Sequence, residues 1–327
     1  MTPPSERPLR LGISACLLGE KVRFDGGHKR DPFLVDIFGR FVDWVPVCPE
    51  EEAGFGTPRP SMRLVAEPEA SSGGVTPVRL LTVRDARDLT APMRAVSATR
   101  VAELAQMDLD GYVLKKDSPS CGLLRVKVYT DAGPGMRTGR GMFAETLCDA
   151  LPLLPKEEEG RLGDARLREN FIERVFAYRR LGDLRTSRPR AGDLMRFHTS
   201  HKLLLLAHSP AAYTALGRLV AGARGSLPAS LLEGYSVGFM TALTAMATRG
   251  RHSNVLQHMA GSFRRLVDDA SRQHLADAIA DYQQGMVPLI VPITLISHYA
   301  KLHHVEYLLG QVYLQPHPKE LMLRNHV

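Results

Sequence analysis

Three short apolar runs, each closed by a turn that carries a cysteine, set the first constraint on this chain. Leu9 to Ala15 leads into Cys16-Leu17-Leu18-Gly19. Phe41 to Val47 leads into Cys48-Pro49-Glu50, and Gly111-Tyr112-Val113-Leu114 leads into Lys115-Lys116-Asp117-Ser118-Pro119-Ser120-Cys121-Gly122. Apolar runs of this length, closed by Pro, Gly, Asp or Ser, read as buried strands followed by turns. In an open parallel sheet, ligands sit in the turns at the carboxyl ends of the strands. Three cysteines far apart in sequence thus converge on one point if the three runs are parallel neighbours.

The segments between these runs fit that reading. Phe33 to Gly39 and Thr90 to Gln106 have helical spacing, while Arg63 to Ala66 and Val78 to Thr82 read as a hairpin around Gly73-Gly74. The prolines and glycines between Glu50 and Pro60 predict an irregular stretch. Gly139 to Leu147 reads as a loop entering a short helix. Strand and helix patterns alternate up to Leu154, which predicts an α/β domain with a mostly parallel sheet flanked by helices over residues 1–154. Pro152 to Gly160 is charge-rich and marks a boundary. Beyond it Leu167, Phe171, Val175 and Tyr178 open a series of amphipathic helices, predicted over 163–181, 193–207, 210–221, 229–248, 255–266, 271–284 and 293–310. Residues 155–327 are therefore expected to form an all-α domain.

A chain of 327 residues is long enough for two cores. No apolar run approaches the ~18–20 residues that span a bilayer. Met1 to Arg10 is polar and proline-rich, unlike a signal peptide. A cytoplasmic protein without membrane contact is expected. The net charge of +7 fits an anionic partner such as nucleic acid without demanding one. Four cysteines without a Cys-x-x-Cys pair argue against a disulfide scaffold, a zinc ribbon and a ferredoxin-type run. A triad of thiolates instead suits soft metals or an iron–sulfur cluster, and three thiolates on four irons leave one iron open to a substrate atom. Cys148 lies in a helical pattern and reads as core. His198 and His201, three apart, lack a clear third and fourth metal ligand and read as packed polar residues. Arg249, Arg251, His252, Arg264 and Arg265 suit either an RNA-binding surface or a solvated helix face.

The separated motifs Ile13-Ser14-Ala15-Cys16-Leu17-Leu18-Gly19, Arg23-Phe24-Asp25-Gly26-Gly27-His28-Lys29, Cys48-Pro49-Glu50, Thr57-Pro58-Arg59 and Lys116 to Gly122 resemble the DUF523 family, which includes the thiouracil desulfidases. The likeness runs from Leu9 to Leu154. Arg196-Phe197-His198, His201-Lys202 and Asn254 to Met259 resemble the DUF1722 family. The combination is similar to two-domain desulfidases that act on thiouridine in tRNA. This resemblance implies a [4Fe-4S] cluster held by Cys16, Cys48 and Cys121, with one iron open. It implies capture of the thiocarbonyl sulfur at that iron, attack of water on the ring carbon and release of hydrosulfide. The implied substrate is 4-thiouridine in tRNA, with the helical domain helping to bind the RNA and no DNA partner expected. A free thiolated pyrimidine is the alternative substrate, and an iron–sulfur redox sensor or RNA-binding regulator the alternative function.

Glu50 and Ser118 are the candidates for acid–base work. Glu50 opens a run of three glutamates, so its role passes equally well to Glu51 or Glu52, and a solvated loop acid is its plainer reading. Ser118 either serves the substrate or caps its own turn. Arg23, His28, Lys29, Arg30 and Arg59 form a loop-borne basic group suited to phosphates. Lys116 and Asp117 are candidates for orienting the substrate.

Overall fold

The computed structural model describes residues 8–67, 78–130 and 133–326. The chain divides into two compact units between Gly163 and Asp164. In chain order the first unit contains β1 (Leu9–Ser14), β2 (Val42–Val47), α1 (Pro49–Glu52), β3 (Met62–Ala66), β4 (Val78–Thr82), α2 (Thr90–Ala105), β5 (Gly111–Leu114), β6 (Val126–Thr130), β7 (Gly133–Gly139), α3 (Met142–Ala150) and β8 (Lys156–Glu158).

One sheet is wholly parallel, in the order β2-β1-β5-β8. β1 and β5 are almost entirely buried, as expected of strands covered on both faces. Gly12 belongs to this close packing. A Cβ there would lie 2.2 Å from ring atoms of Tyr112, which is itself fully buried against Phe143. The second sheet is mixed, in the order β4-β3-β6-β7. Leu64, Leu80, Val126 and Val128 from this sheet share a core with Met93 of α2 and Met142 of α3.

Three differences from the sequence reading in this unit have local causes. The hairpin pairs β3 with β4 as expected, but Gly73-Gly74 lies outside the described residues. The stretch before Gly139, to which the sequence pattern assigns no element, forms β6 and β7. Val126 and Val128 do alternate with exposed Lys127, but β7 is rich in glycine and carries no apolar alternation. α1 forms where irregular chain is expected, because a proline is tolerated in a helix's first turn, where its missing N–H has no intrahelical partner. The boundary at 154/155 moves to 163/164, because β8 lies beyond Leu154 and pairs with β5 at the edge of the parallel sheet.

The second unit is helical: α4 (Ala165–Thr186), α5 (Ala191–His208), α6 (Pro210–Gly222), α7 (Ala229–Thr244), α8 (Arg249–Gly261), α9 (Asp269–Gln284), α10 (Ile290–Leu302) and α11 (Glu306–Leu309). Side chains of Asp164, Ser209, Thr248 and Asp268 cap α4, α6, α8 and α9. The Thr248 cap starts α8 six residues before Val255, and α7 stops at Thr244, where Ala245 turns extended. The last expected helix is broken after Leu302, where His304 takes a positive φ of 51°. No described helix is long and apolar enough to cross a membrane.

A buried ionic network ties α4 and α5 to the carboxy-terminal segment. Glu173 takes a 2.5 Å hydrogen bond from His208 Nε2 and pairs with Arg324 at 3.3 Å, while Arg324 also reaches Glu169 at 2.9 Å. Burial pushes the Glu173 carboxyl up, but His208 and Arg324 outweigh it and hold it at about 2. Burial likewise pushes His208 down, and Glu173 more than reverses that. Three other histidines are held neutral. Burial pushes His201 and His252 down to about 3 and His317 down to about 4, helped by nearby Arg180 or Arg324.

These shifts set a pH dependence. For His201, His252 and His317 the folded values lie below the ordinary 6.5, so the unfolded chain binds more protons as pH falls and stability is lost below that value. Glu173, depressed below its ordinary 4.5, loses stability in the same direction at still lower pH. His208, raised above 6.5, has the opposite sign. Its contribution is full below 6.5 and fades as pH rises through the folded value. The acid limb dominates. We expect the helical unit's melting midpoint, followed by far-UV circular dichroism, to fall between about pH 7 and about pH 5. His201→Leu should flatten that slope, and a midpoint independent of pH across this range contradicts the assignment.

Candidate active site

Parallel pairing puts the ends of three strands level. Ser14 of β1 lies opposite Val47 of β2, and Ile13 lies opposite Val113 of β5. The chain runs from β1 out to β2, then returns to β5 on the other side of β1, so β1 is the point where strand order reverses. That is where open α/β sheets hold ligands. A cavity of about 370 Å³ opens there, within the size range of small-molecule sites. Cys16, Cys48 and Cys121 all line it, together with Glu50, Ser118 and Ser120.

Each cysteine is fixed by its own loop. Cys16 sits in a tight turn after β1, and its carbonyl accepts the Lys29 amide at 2.9 Å. Cys48 is the residue before α1, with its Sγ 3.8 Å from the Val22 carbonyl. Cys121 lies in a turn whose carbonyls cap α3. The Phe143 and Ala144 amides donate to Ser120 O at 3.0 and 3.2 Å, and the Met142 amide donates to Pro119 O at 3.1 Å. The first-turn donors of α3, which lack partners in their own helix, are thus spent on holding the cysteine loop. Gly141 makes this approach possible, because a Cβ there would lie 2.4 Å from Ser120 O. All three thiols are free, and burial raises the pKa of each. Cys16 is pushed up to about 11, against the pull of Lys115. Negative charge on Cys48 disfavours ionisation of Cys16, and charge on either disfavours ionisation of Cys121, which reflects their convergence. Cys148, on α3, does not line the cavity.

Of the three consecutive glutamates, Glu50 faces the cavity. Glu52 pairs with Arg100 at 3.5 Å, and Glu51 binds Arg59 at 2.9 Å. Arg59 is buried, with donors on Glu50 Oε2, Glu51 Oε1, Gly56 O, Thr57 Oγ1 and Val22 O. Its guanidinium is fully engaged inside the protein, so it positions Glu50 instead of meeting a substrate phosphate. Glu50 Oε1 is left to two hydroxyls. Ser120 Oγ donates to it at 2.5 Å, and Ser118 Oγ lies 3.5 Å away. The Ser118 hydroxyl also accepts the Cys121 amide at 3.1 Å, so it caps its turn as well as facing the acid.

The other expected residues divide. Arg23, Lys29, Lys116 and Asp117 line the cavity. His28 and Arg30 do not; His28 accepts the Arg30 amide and Arg30 pairs with Asp36. Arg23 is paired with Asp25 at 3.0 Å and Asp117 with Arg137 at 2.9 Å, whereas Lys29 and Lys116 are exposed. Ser120, Ser14 and the Lys115–Glu159 pair are site features that the sequence reading missed. Ser14 accepts the Lys115 amide at 3.0 Å, and Ser120 Oγ lies 3.7 Å from the Cys121 thiol. The serine beside Cys121 is visible in the sequence, but only tertiary contact shows that it is nearer to the acid than Ser118. In the helical unit His198 bonds Tyr235 and His201 bonds the Phe197 carbonyl. His252 is buried on Tyr313 and Arg251 donates to the His208 carbonyl, so neither belongs to a free basic surface.

Comparison with known proteins agrees with this division. The 2-thiouracil desulfurase family profile matches residues 11–159, and a profile for a family of unknown function, DUF1722, matches residues 202–318. The chain carries a 2-thiouracil desulfurase (DUF523) domain followed by a DUF1722 domain. It is 33% identical to the uncharacterized protein YbgA of Escherichia coli over 49% of this chain and 95% of that one. It is 28% identical to the uncharacterized protein YbbK of Bacillus subtilis over 42% of this chain and 89% of that one. A solved [4Fe-4S]-dependent thiouracil desulfidase, TudS, is similar at 25% identity over 47% of this chain and 93% of that one, with a TM-score of 0.37. The cavity and all three cysteines lie inside the DUF523 match.

The α3 cap makes a test of the loop's packing. Gly141→Ala pushes a methyl into the Ser120 carbonyl and loosens the Cys121 turn. We expect the buried Cys121 thiol of the metal-free protein to react faster with a thiol reagent in this variant, read by peptide mass spectrometry. An unchanged rate means that the contact does not hold the loop.

Proposed function

We propose that this chain is an iron–sulfur-dependent desulfidase that replaces the thiocarbonyl sulfur of a thiolated pyrimidine with oxygen, and that Cys16, Cys48 and Cys121 hold the cluster. The observation that carries this reading is the convergence of three free thiols and a clamped carboxylate on one cavity. The donor set fits such a cluster: three free cysteine thiols on one cavity are the soft sulfur ligands that iron–sulfur clusters take. When bound, a [4Fe-4S] cluster with three thiolate ligands supplies one open iron as a Lewis acid for the substrate sulfur.

The reaction consumes one water. Its oxygen becomes the ring carbonyl, the sulfur leaves as hydrosulfide, and no electron donor is needed. Arg59 fixes Glu50 through Oε2, which leaves Oε1 to take a proton from that water. Ser120 and Ser118, linked at 2.9 Å, offer a route for the proton between the carboxylate and the ring. The buried Arg59 side chain keeps this carboxylate from turning away when the substrate enters.

The finer reading of the substrate is 4-thiouridine in tRNA. Exposed Lys29 on the cavity lining supports a base carried on a phosphate backbone, and Lys116 beside it is exposed enough to exchange its Asp117 partner, at 4.0 Å, for a phosphate. Anaerobic reconstitution, followed by loss of thiocarbonyl absorbance, tests both levels. We expect turnover of thiolated tRNA above that of free 4-thiouracil, and a loss of ~10²–10⁴-fold in kcat for Glu50→Gln with the cluster spectrum intact. Equal turnover in Glu50→Gln removes that residue from the chemistry. Turnover of free base alone keeps the desulfidase and removes tRNA.

A further inference from the structure

Phe24 is 44% exposed and lines the cavity. Among the described residues with large exposed apolar side chains, it is the one on this cavity's wall. An aromatic ring left in water at a ligand site forgoes its own burial, and a planar partner recovers it. The ring does not hang on a loose loop. A tight turn carries it, closed by the Gly26 amide on Arg23 O at 2.9 Å, with Asp25 accepting from both the Gly27 amide and the Arg23 guanidinium. The Arg23 guanidinium carbon lies 5.4 Å from the ring centroid, a cation–π contact within the same turn.

The same turn is fastened to the catalytic machinery. The Phe24 carbonyl accepts the Arg59 amide at 2.9 Å, and the Val22 carbonyl accepts Arg59 Nη2 at 2.8 Å. Val22 O also lies 3.8 Å from the Cys48 thiol. One residue, Arg59, therefore sets the position of the proposed acid through its side chain and of the exposed aromatic through its backbone. An aromatic face held on the same cavity as an acid and three thiols is a device for holding a flat ring.

We infer that Phe24 is the stacking platform for the pyrimidine ring of the substrate, an inference that rests on the desulfidase reading of the same cavity. Stacking on an aromatic side chain tolerates any base, so Phe24 selects for a flat heterocycle and leaves recognition of the sulfur to the rest of the site. Phe24→Tyr keeps the face, Phe24→Leu keeps apolar area without a π-face, and Phe24→Ala removes both.

The test measures KM and kcat for 4-thiouracil in the anaerobically reconstituted full chain, and binding of uracil, which does not react, by ligand-detected NMR. We expect Phe24→Ala to raise KM roughly ten- to a hundredfold, with kcat and cluster absorbance little changed. Tyr should match the wild type, Leu should behave like Ala, and uracil binding should follow the same order. An unchanged KM in the Ala variant, or a Leu variant as good as Tyr, overturns the stacking role while leaving the desulfidase reading intact. If no thiolated pyrimidine turns over despite an intact cluster, the desulfidase reading fails and uracil decides the rest. Binding that depends on Phe24 then supports the platform, and absent or Phe24-independent binding overturns it.

Discussion

The parallel pairing of β1 with both β2 and β5 is the constraint on which the site depends. It sets Ser14 level with Val47 and Ile13 level with Val113, and so delivers three loops to one edge of one sheet. The sequence distance between Cys16 and Cys121 is spanned by that register and not by any local motif. The packing that keeps the register tight is also local. Gly12 makes room for the Tyr112 ring on the neighbouring strand, and Tyr112 in turn lies against Phe143 of α3. The helix that caps the Cys121 turn is thus packed on the strand that leads into that turn.

Charge is arranged around this edge with some economy. Burial raises the pKa of all three thiols, so the metal-free pocket is filled by neutral groups and not by repelling thiolates. Under the proposed function, loading a cluster means giving up those protons, and the bonds to iron have to offset the desolvation. Lys115, the strongest charge favouring the Cys16 thiolate, is itself neutralised by Glu159. Arg59 is spent on Glu50 and backbone carbonyls. Of the exposed cations on the lining, Lys116 pairs with Asp117 at 4.0 Å, while Lys29 stands at the rim.

Much of this was legible in the sequence, for physical reasons that differ by residue. The three cysteines could be read because each ends an apolar run, and buried strand followed by turn is a strong local signal. Glu50 could be narrowed to a run of three, but only its contact with Arg59 and its place on the cavity separate it from Glu51 and Glu52. Arg59 looked like a phosphate ligand because a surface loop was expected; its true partners include the Val22 and Gly56 carbonyls, which no side-chain pattern reveals. β8 was hidden because Lys156, Glu157 and Glu158 are charged, and two of them are nonetheless buried. Glu158 accepts the Leu123 and Leu124 amides just past Cys121, so a stretch that reads as a polar linker is part of the support for the cysteine loop. In the helical unit the apolar periodicity located the helices, whereas their ends followed caps such as Thr248 and Asp268.

The central claim is that three particular thiols, and not the fourth, hold one four-iron cluster. Native mass spectrometry of the anaerobically reconstituted chain measures this directly, on the wild type and on Cys16→Ser, Cys48→Ser, Cys121→Ser and Cys148→Ser. The account predicts the added mass of a single [4Fe-4S] cluster in the wild type and in Cys148→Ser, with loss of stable loading in the other three. A cluster that survives the loss of Cys121, or that needs Cys148, contradicts it.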